Sequence, residues 1–123
     1  MKNVCLLILS MGLIFGGCKE YSNKKMKSFI PGTYIAKWND EFANTCDTII
    51  IESQSENKDF QITQIMRSQF LNKSKMPLYK IHHWTASFDE VNKCLLITNN
   101  GRMLFFYPEK NELKSGTVIF KKN

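Results

Sequence analysis

Few residues of this chain could do chemistry: four cysteines, two adjacent histidines, and eleven acids against seventeen Lys and Arg. His82 and His83 are neighbours in sequence, and on a strand neighbours point to opposite faces, so they cannot share a metal ion. Asp40-Glu41 lacks the alternating spacing of a calcium loop and, like Asp89-Glu90, has the composition of a turn. The chain has no G-x-S-x-G, H-E-x-x-H or C-x-x-C, no phosphate-binding glycine loop and no dinucleotide fingerprint. No catalytic residue, metal or cofactor is expected.

The cysteines carry more. Cys18 follows Gly16 and Gly17, which end an apolar run from Val4 to Phe15, and Lys19-Glu20 begins the polar chain. A run of that length suits a signal peptide and falls short of the roughly 20 residues that span a bilayer. Small residues directly before a cysteine look like the bacterial lipobox, with Phe15 where Leu is usual. In that motif the thiol is acylated and cleavage leaves the cysteine first. The expectation is a leader over residues 1–17, a lipidated Cys18, and a polar tether over 18–28. Lys19, where inner-membrane retention would favour Asp, points to the outer membrane.

Loss of Cys5 with the leader and acylation of Cys18 leave two thiols, Cys46 and Cys94. Export permits a bond between them, and closing a loop of about 50 residues would contribute roughly 3–4 kcal/mol by chain entropy. Against it, both fall in expected strands that need not be neighbours. Free buried cysteines also serve as small apolar residues.

Charge is unevenly placed. Residues 38–60 hold Asp40, Glu41, Asp47, Glu52, Glu56 and Asp59 against Lys58, whereas 61–88 hold Arg67, Lys73, Lys75 and Lys80 and no acid. Ser68–Pro77 reads as a long hairpin tip in which Phe70, Leu71 and Met76 sit among lysines. Long loops on a rigid sheet commonly carry binding. Phe70, Lys73 and Lys75 are therefore the candidate partner-binding residues, with an envelope protein as the partner. Nucleic acid is disfavoured, because no stacking motif of the RNA-recognition type is present.

The elements that must position these groups are strands. Strands are expected near 33–38, 46–52, 59–67, 79–88, 94–98, 102–107 and 112–121: residues alternate with period two around Tyr34–Trp38, Phe60–Ile65 and Trp84–Phe88, and Thr48–Ile51 is a β-branched run bounded by polar clusters. Asn100-Gly101 predicts a two-residue type I′ hairpin turn. Pro108–Asn111 has turn composition, and Gly116 predicts a bulge or kink within the last strand. About seven to eight antiparallel strands imply an all-β chain, an up-and-down barrel or curled meander over 29–123, with a β-sandwich as the alternative. A barrel of this size is either filled by side chains or admits one small ligand.

Pro31-Gly32-Thr33-Tyr34, Asp47-Thr48-Ile49-Ile50, Trp84–Asp89 and the closing Tyr107-Pro108-Glu109-Lys110 with Phe120-Lys121-Lys122 together resemble a family of short Bacteroidetes-type lipoproteins. Some of these stand near conjugative-transfer genes. The resemblance implies a lipocalin-like small β domain and a non-catalytic envelope role, such as an interaction module accessory to a transfer or secretion apparatus. A small-ligand binder with a lipocalin-like cavity is the alternative. Cys46 and Cys94 stand outside the family pattern, and it brings no catalytic residues.

Overall fold

Alternating side chains bury one face of each strand, and the buried faces can be satisfied together only if the sheet curls on itself. The computed structural model describes residues 22–54 and 59–123, so the expected leader and Cys18 lie outside the described residues. Its strands are β1 (Gly32–Asn39), β2 (Ala43–Ser53), β3 (Asp59–Phe70), β4 (Leu78–Asp89), β5 (Cys94–Ile97), β6 (Met103–Tyr107), β7 (Glu112–Ser115) and β8 (Val118–Lys122). Each pairs antiparallel with the next and β8 returns to β1, giving a closed eight-stranded up-and-down barrel. Tyr34, Ile49, Ile51, Ile62, Leu95, Leu104, Leu113 and Phe120 fill its interior and are all fully buried.

Residues 23–28 of the expected tether are helical rather than irregular. Helix α1 (Asn23–Phe29) begins where Ser22 caps the first turn, its hydroxyl accepting from the Lys25 amide at 3.2 Å. Met26, Phe29 and Ile30 fall at i, i+3 and i+4, so one side of the helix is apolar. That side plugs one end of the barrel: Met26 and Ile30 are buried, and the Phe29 ring meets Tyr34 and Phe106 edge to face at 6.2 and 6.4 Å. Full burial of a side chain such as Ile30 contributes about 1.5–3 kcal/mol, enough to hold a helix this short in place. The Tyr34 hydroxyl reaches the two carbonyls at the helix end, Ile30 O at 2.8 Å and Phe29 O at 3.2 Å. The Lys122 ammonium also donates to Phe29 O and lies 4.1 Å from the centre of the Phe29 ring.

Two turns differ from expectation. The β5–β6 hairpin forms, but over four residues, Thr98 to Gly101: Ile97 N donates to Arg102 O at 2.8 Å, and φ is positive at Gly101 but not at Asn100. Thr98 is drawn away to β4, where its amide and hydroxyl both donate to Thr85 O at 2.9 Å. Gly116, with φ +61°, does not kink a strand but turns the chain between β7 and β8, so the last predicted strand is two.

Closure is confined to the plugged half. β1 pairs with β8 only at Tyr34 and Ile35, and β4 pairs with β5 only from Ala86 to Asp89. The β1–β4 ladders run on without them, from Gly32↔Ile51 to Asn39↔Asn44 and from Asp59↔Ser87 to Ser68↔Leu78. The far halves of these four strands form an overhanging flap at the end opposite α1.

Burial drives the Tyr34 phenol well above its ordinary pKa, so it remains a donor across the working pH range. Tyr34→Phe should therefore cost about 1–2 kcal/mol of unfolding free energy in urea titration, since the buried Ile30 carbonyl loses the hydroxyl while Phe29 O keeps Lys122. A change below about 0.3 kcal/mol would show that the Tyr34 hydroxyl adds nothing to the hold on α1.

Candidate functional site

The outer face of the flap is built by register. Lys37 of β1 stands opposite Cys46 of β2, Cys46 opposite Arg67 of β3, and Arg67 opposite Tyr79 of β4. A single row across four strands thus carries cation, thiol, cation and phenol. With Asn39, Asn44, Gln69 and Pro77, the row lines an open groove of about 510 Å³. The Arg67 guanidinium lies 5.3 Å from the centre of the Tyr79 ring, which holds the ring against the sheet. Among the described residues no acidic side chain lines the groove. The groove thus combines apolar surface with the positive charges of Lys37 and Arg67, the latter held over the Tyr79 ring.

The loop singled out by sequence spans 71–77 at the flap's tip. Phe70 ends β3 opposite Ala43 and is half-buried, with the Lys75 ammonium 5.5 Å from its ring centre. Lys73 projects into solvent. The structure therefore joins Phe70 to Lys75 and leaves Lys73 apart. Leu71, Met76 and Phe42 are the exposed apolar side chains of this tip. Phe42 reaches it because its carbonyl accepts from the Leu71 amide at 2.9 Å. Asn72 braces the turn, its side-chain oxygen accepting from the Ser74 hydroxyl at 2.7 Å and the Ser74 amide at 3.1 Å.

Where the closed barrel gives way to the flap, the interior turns polar. Asp47 is buried, and both its carboxylate oxygens accept from the Gln64 amide nitrogen, at 3.0 and 3.1 Å. Thr45 and Ser68 share a hydrogen bond at 3.0 Å one pair farther out, and Arg102 donates to Ser115. Burial raises the Asp47 pKa, with Gln64 and the charge of Arg102 opposing. Beside this layer, Trp84 stacks on His82 at 5.2 Å. The two histidines lie on opposite faces of β4, as expected, and among the described residues no cluster of His, Cys, Asp or Glu could hold a metal ion.

Cys46 and Cys94 are both free thiols. They sit on β2 and β5, with β3 and β4 between, so the bond left open by the sequence does not form in this fold. Cys46 is partly exposed in the groove, whereas Cys94 is fully buried between the Asp89 and Phe105 pairs. Burial, and then the charge of Asp89, push the Cys94 thiol pKa up. Sequence reasoning passed over the groove itself. The signal was present as alternation in β1–β4, but only the register aligns Lys37, Cys46, Arg67 and Tyr79. Comparison with protein-family models, curated proteins and solved structures found no match to this chain.

Two expectations follow. Under native conditions iodoacetamide should label Cys46 and spare Cys94, with the second label appearing only in denaturant; intact mass checks this, and labelling of neither thiol before reduction would restore the disulfide. Asp47 binds a proton in the fold at a pH where the unfolded chain has already released it. Stability should therefore fall as pH rises from the ordinary carboxylate range through the folded value. Asp47→Asn should melt higher than wild type at pH 7, with the gap closing toward pH 4. Parallel melting curves across that range would contradict this account.

Proposed function

We propose that this chain is a non-catalytic binding module of the cell envelope, carried by a lipid on Cys18 and docking a partner protein through the overhanging flap. One observation carries the docking reading: the half of β1–β4 left unclosed by β5 and β8 is a broad, exposed surface with basic and apolar side chains together. A barrel filled at one end and open at the other is suited to presenting a surface rather than enclosing a substrate. The anchor reading rests on Gly16-Gly17-Cys18 after the apolar run, and the resemblance to envelope lipoproteins agrees with it. Because α1 and the flap lie at opposite ends, an anchor ahead of α1 would hold the flap away from the bilayer.

A second reading, a small-ligand binder, is supported by the groove of about 510 Å³, which has the size of a ligand site but lies outside the barrel. Its lysine and arginine would suit an anionic amphiphile. The accessory role in a transfer or secretion apparatus rests on the family resemblance alone.

The anchor is tested by feeding cells a clickable palmitate: wild type should be labelled and Cys18→Ala should not, and equal labelling would remove the lipid from the reading. The docking surface is tested by co-purification from envelope extracts. Lys73→Ala with Lys75→Ala should reduce capture more at low salt than at high salt, because rim charges act chiefly on association. Phe70→Ala, half-buried under Lys75, should instead cost about 1–2 kcal/mol of stability. Unchanged capture by the lysine pair would take the loop out of the docking surface.

A further inference from the structure

β4 offers more than a face. The Thr85 amide donates to Asn99 Oδ1 at 3.1 Å and its carbonyl accepts from the Thr98 amide at 2.9 Å, so its backbone groups point toward β5 and away from β3. The β3–β4 register runs without a bulge from Asp59↔Ser87 to Ser68↔Leu78. Direction therefore alternates strictly along β4, and Tyr79, Ile81 and His83 must aim their N–H and C=O the same way as Thr85. β5 pairs no farther than Ala86, so among the described residues no strand covers that side. Every residue from Leu78 to His83 is exposed. Pro77, which has no amide hydrogen, bounds the edge at one end, and the 98–101 turn bounds it at the other.

We propose that this edge, Tyr79 to His83, is a strand-addition site for an extended acidic segment of a partner protein, an inference that rests on the docking role of the flap. Main-chain hydrogen bonds to the three outward-facing residues would supply affinity, and side chains at every second position would supply selectivity. On one face the added strand lies beside Tyr79 and Ile81, which are about half exposed and favour apolar or β-branched neighbours. On the other face it lies beside Lys80 and His82, which favour acids. Arg67, Lys73 and Lys75 give the surroundings the same sign, and no acid occurs anywhere from 61 to 88. The segment that fits alternates acidic with β-branched residues. A second copy of this chain is the poorer occupant, since antiparallel pairing about Ile81 would set Lys80 against His82 and bring two basic flaps together.

The Ile81 amide is the point of test, because it is unused by the barrel. Ile81→Pro removes it and obstructs the edge while sparing the β3–β4 ladder, and proline is tolerated on an edge. Ile81→Thr keeps the amide and the β-branch. The probe is a fluorescein-labelled peptide of alternating Val and Glu, read by anisotropy against the full chain, with thermal melts of each variant. Wild type and Ile81→Thr should bind; Ile81→Pro should bind at least about tenfold more weakly while melting within a few degrees of wild type. A peptide with Lys in place of Glu, or one N-methylated at alternate residues, should not bind. Failure of wild type to bind the Val–Glu peptide, or equal binding by Ile81→Pro, overturns strand addition. A dimer of wild type that Ile81→Pro abolishes, seen by light scattering, also overturns it, in favour of the second copy. Partner capture from envelope extracts that persists in Ile81→Pro would keep the docking reading and discard the edge, whereas loss of all capture by wild type would discard the docking reading itself.

Discussion

The seam between β8 and β1 decides what kind of object this sheet becomes. It is short, with Tyr34 opposite Lys122 and Ile35 opposite Lys121, extended by the Asn123 amide on Thr33 O at 2.8 Å. So few pairs would hold a sheet edge weakly, and α1 adds what the ladder lacks. Lys122 both completes the last pair and donates to Phe29 O, while Tyr34 binds the helix end from the other side of the seam. Burying Lys122 among Phe29 and Tyr34 lowers its pKa, so the lock works against a desolvation cost offset by the carbonyl and the two rings. Seam and plug are one structure, and the sealed core follows from it.

The same shortness creates the flap. Because β5 and β8 are only four and five residues long, they cannot accompany β4 and β1, which are twelve and eight, to their ends. The polar layer around Asp47 and Gln64 marks the level at which the interior stops being dry. Beyond it both faces of the sheet meet solvent, which is why Leu78, Lys80 and His82 are exposed despite pointing to the same side as the core residue Ala86. The exposed flap is thus a geometric consequence of strand lengths in a barrel closed at one end only.

Much of this was legible in the amino-acid sequence. Period-two alternation marked β1, β3 and the second half of β4, because a half-buried strand must satisfy two different faces, whereas β7 and β8 were read as one strand. Asp40 and Asp89 were recognisable as turn residues, and each accepts from backbone amides two and three residues on. What escaped was set by distant partners. Helix α1 is too short for periodicity to register, and Met26, Phe29 and Ile30 become a stripe only when a barrel end lies beneath them. Asn100-Gly101 carries a two-residue signal that Thr85 overrides by binding Thr98. Phe70 and the loop lysines stood out by composition, whereas the free edge at Tyr79–His83 is defined by where a neighbouring strand stops. No local pattern records that.

The helical plug also determines how the domain bears load. A pull applied ahead of Ser22 enters α1 first, and α1 is fastened at a barrel end rather than woven into the sheet. Its attachments, Met26 in the core, Lys27 near Glu90 at 3.5 Å, then Phe29 and Ile30, would release one after another like a peeled strip. The β-ladders, whose many hydrogen bonds would have to shear together, would feel the force only afterwards. The fold accordingly has a weak link in series with a strong one, and the first surface bared by tension would be the aromatic pair Tyr34 and Phe106.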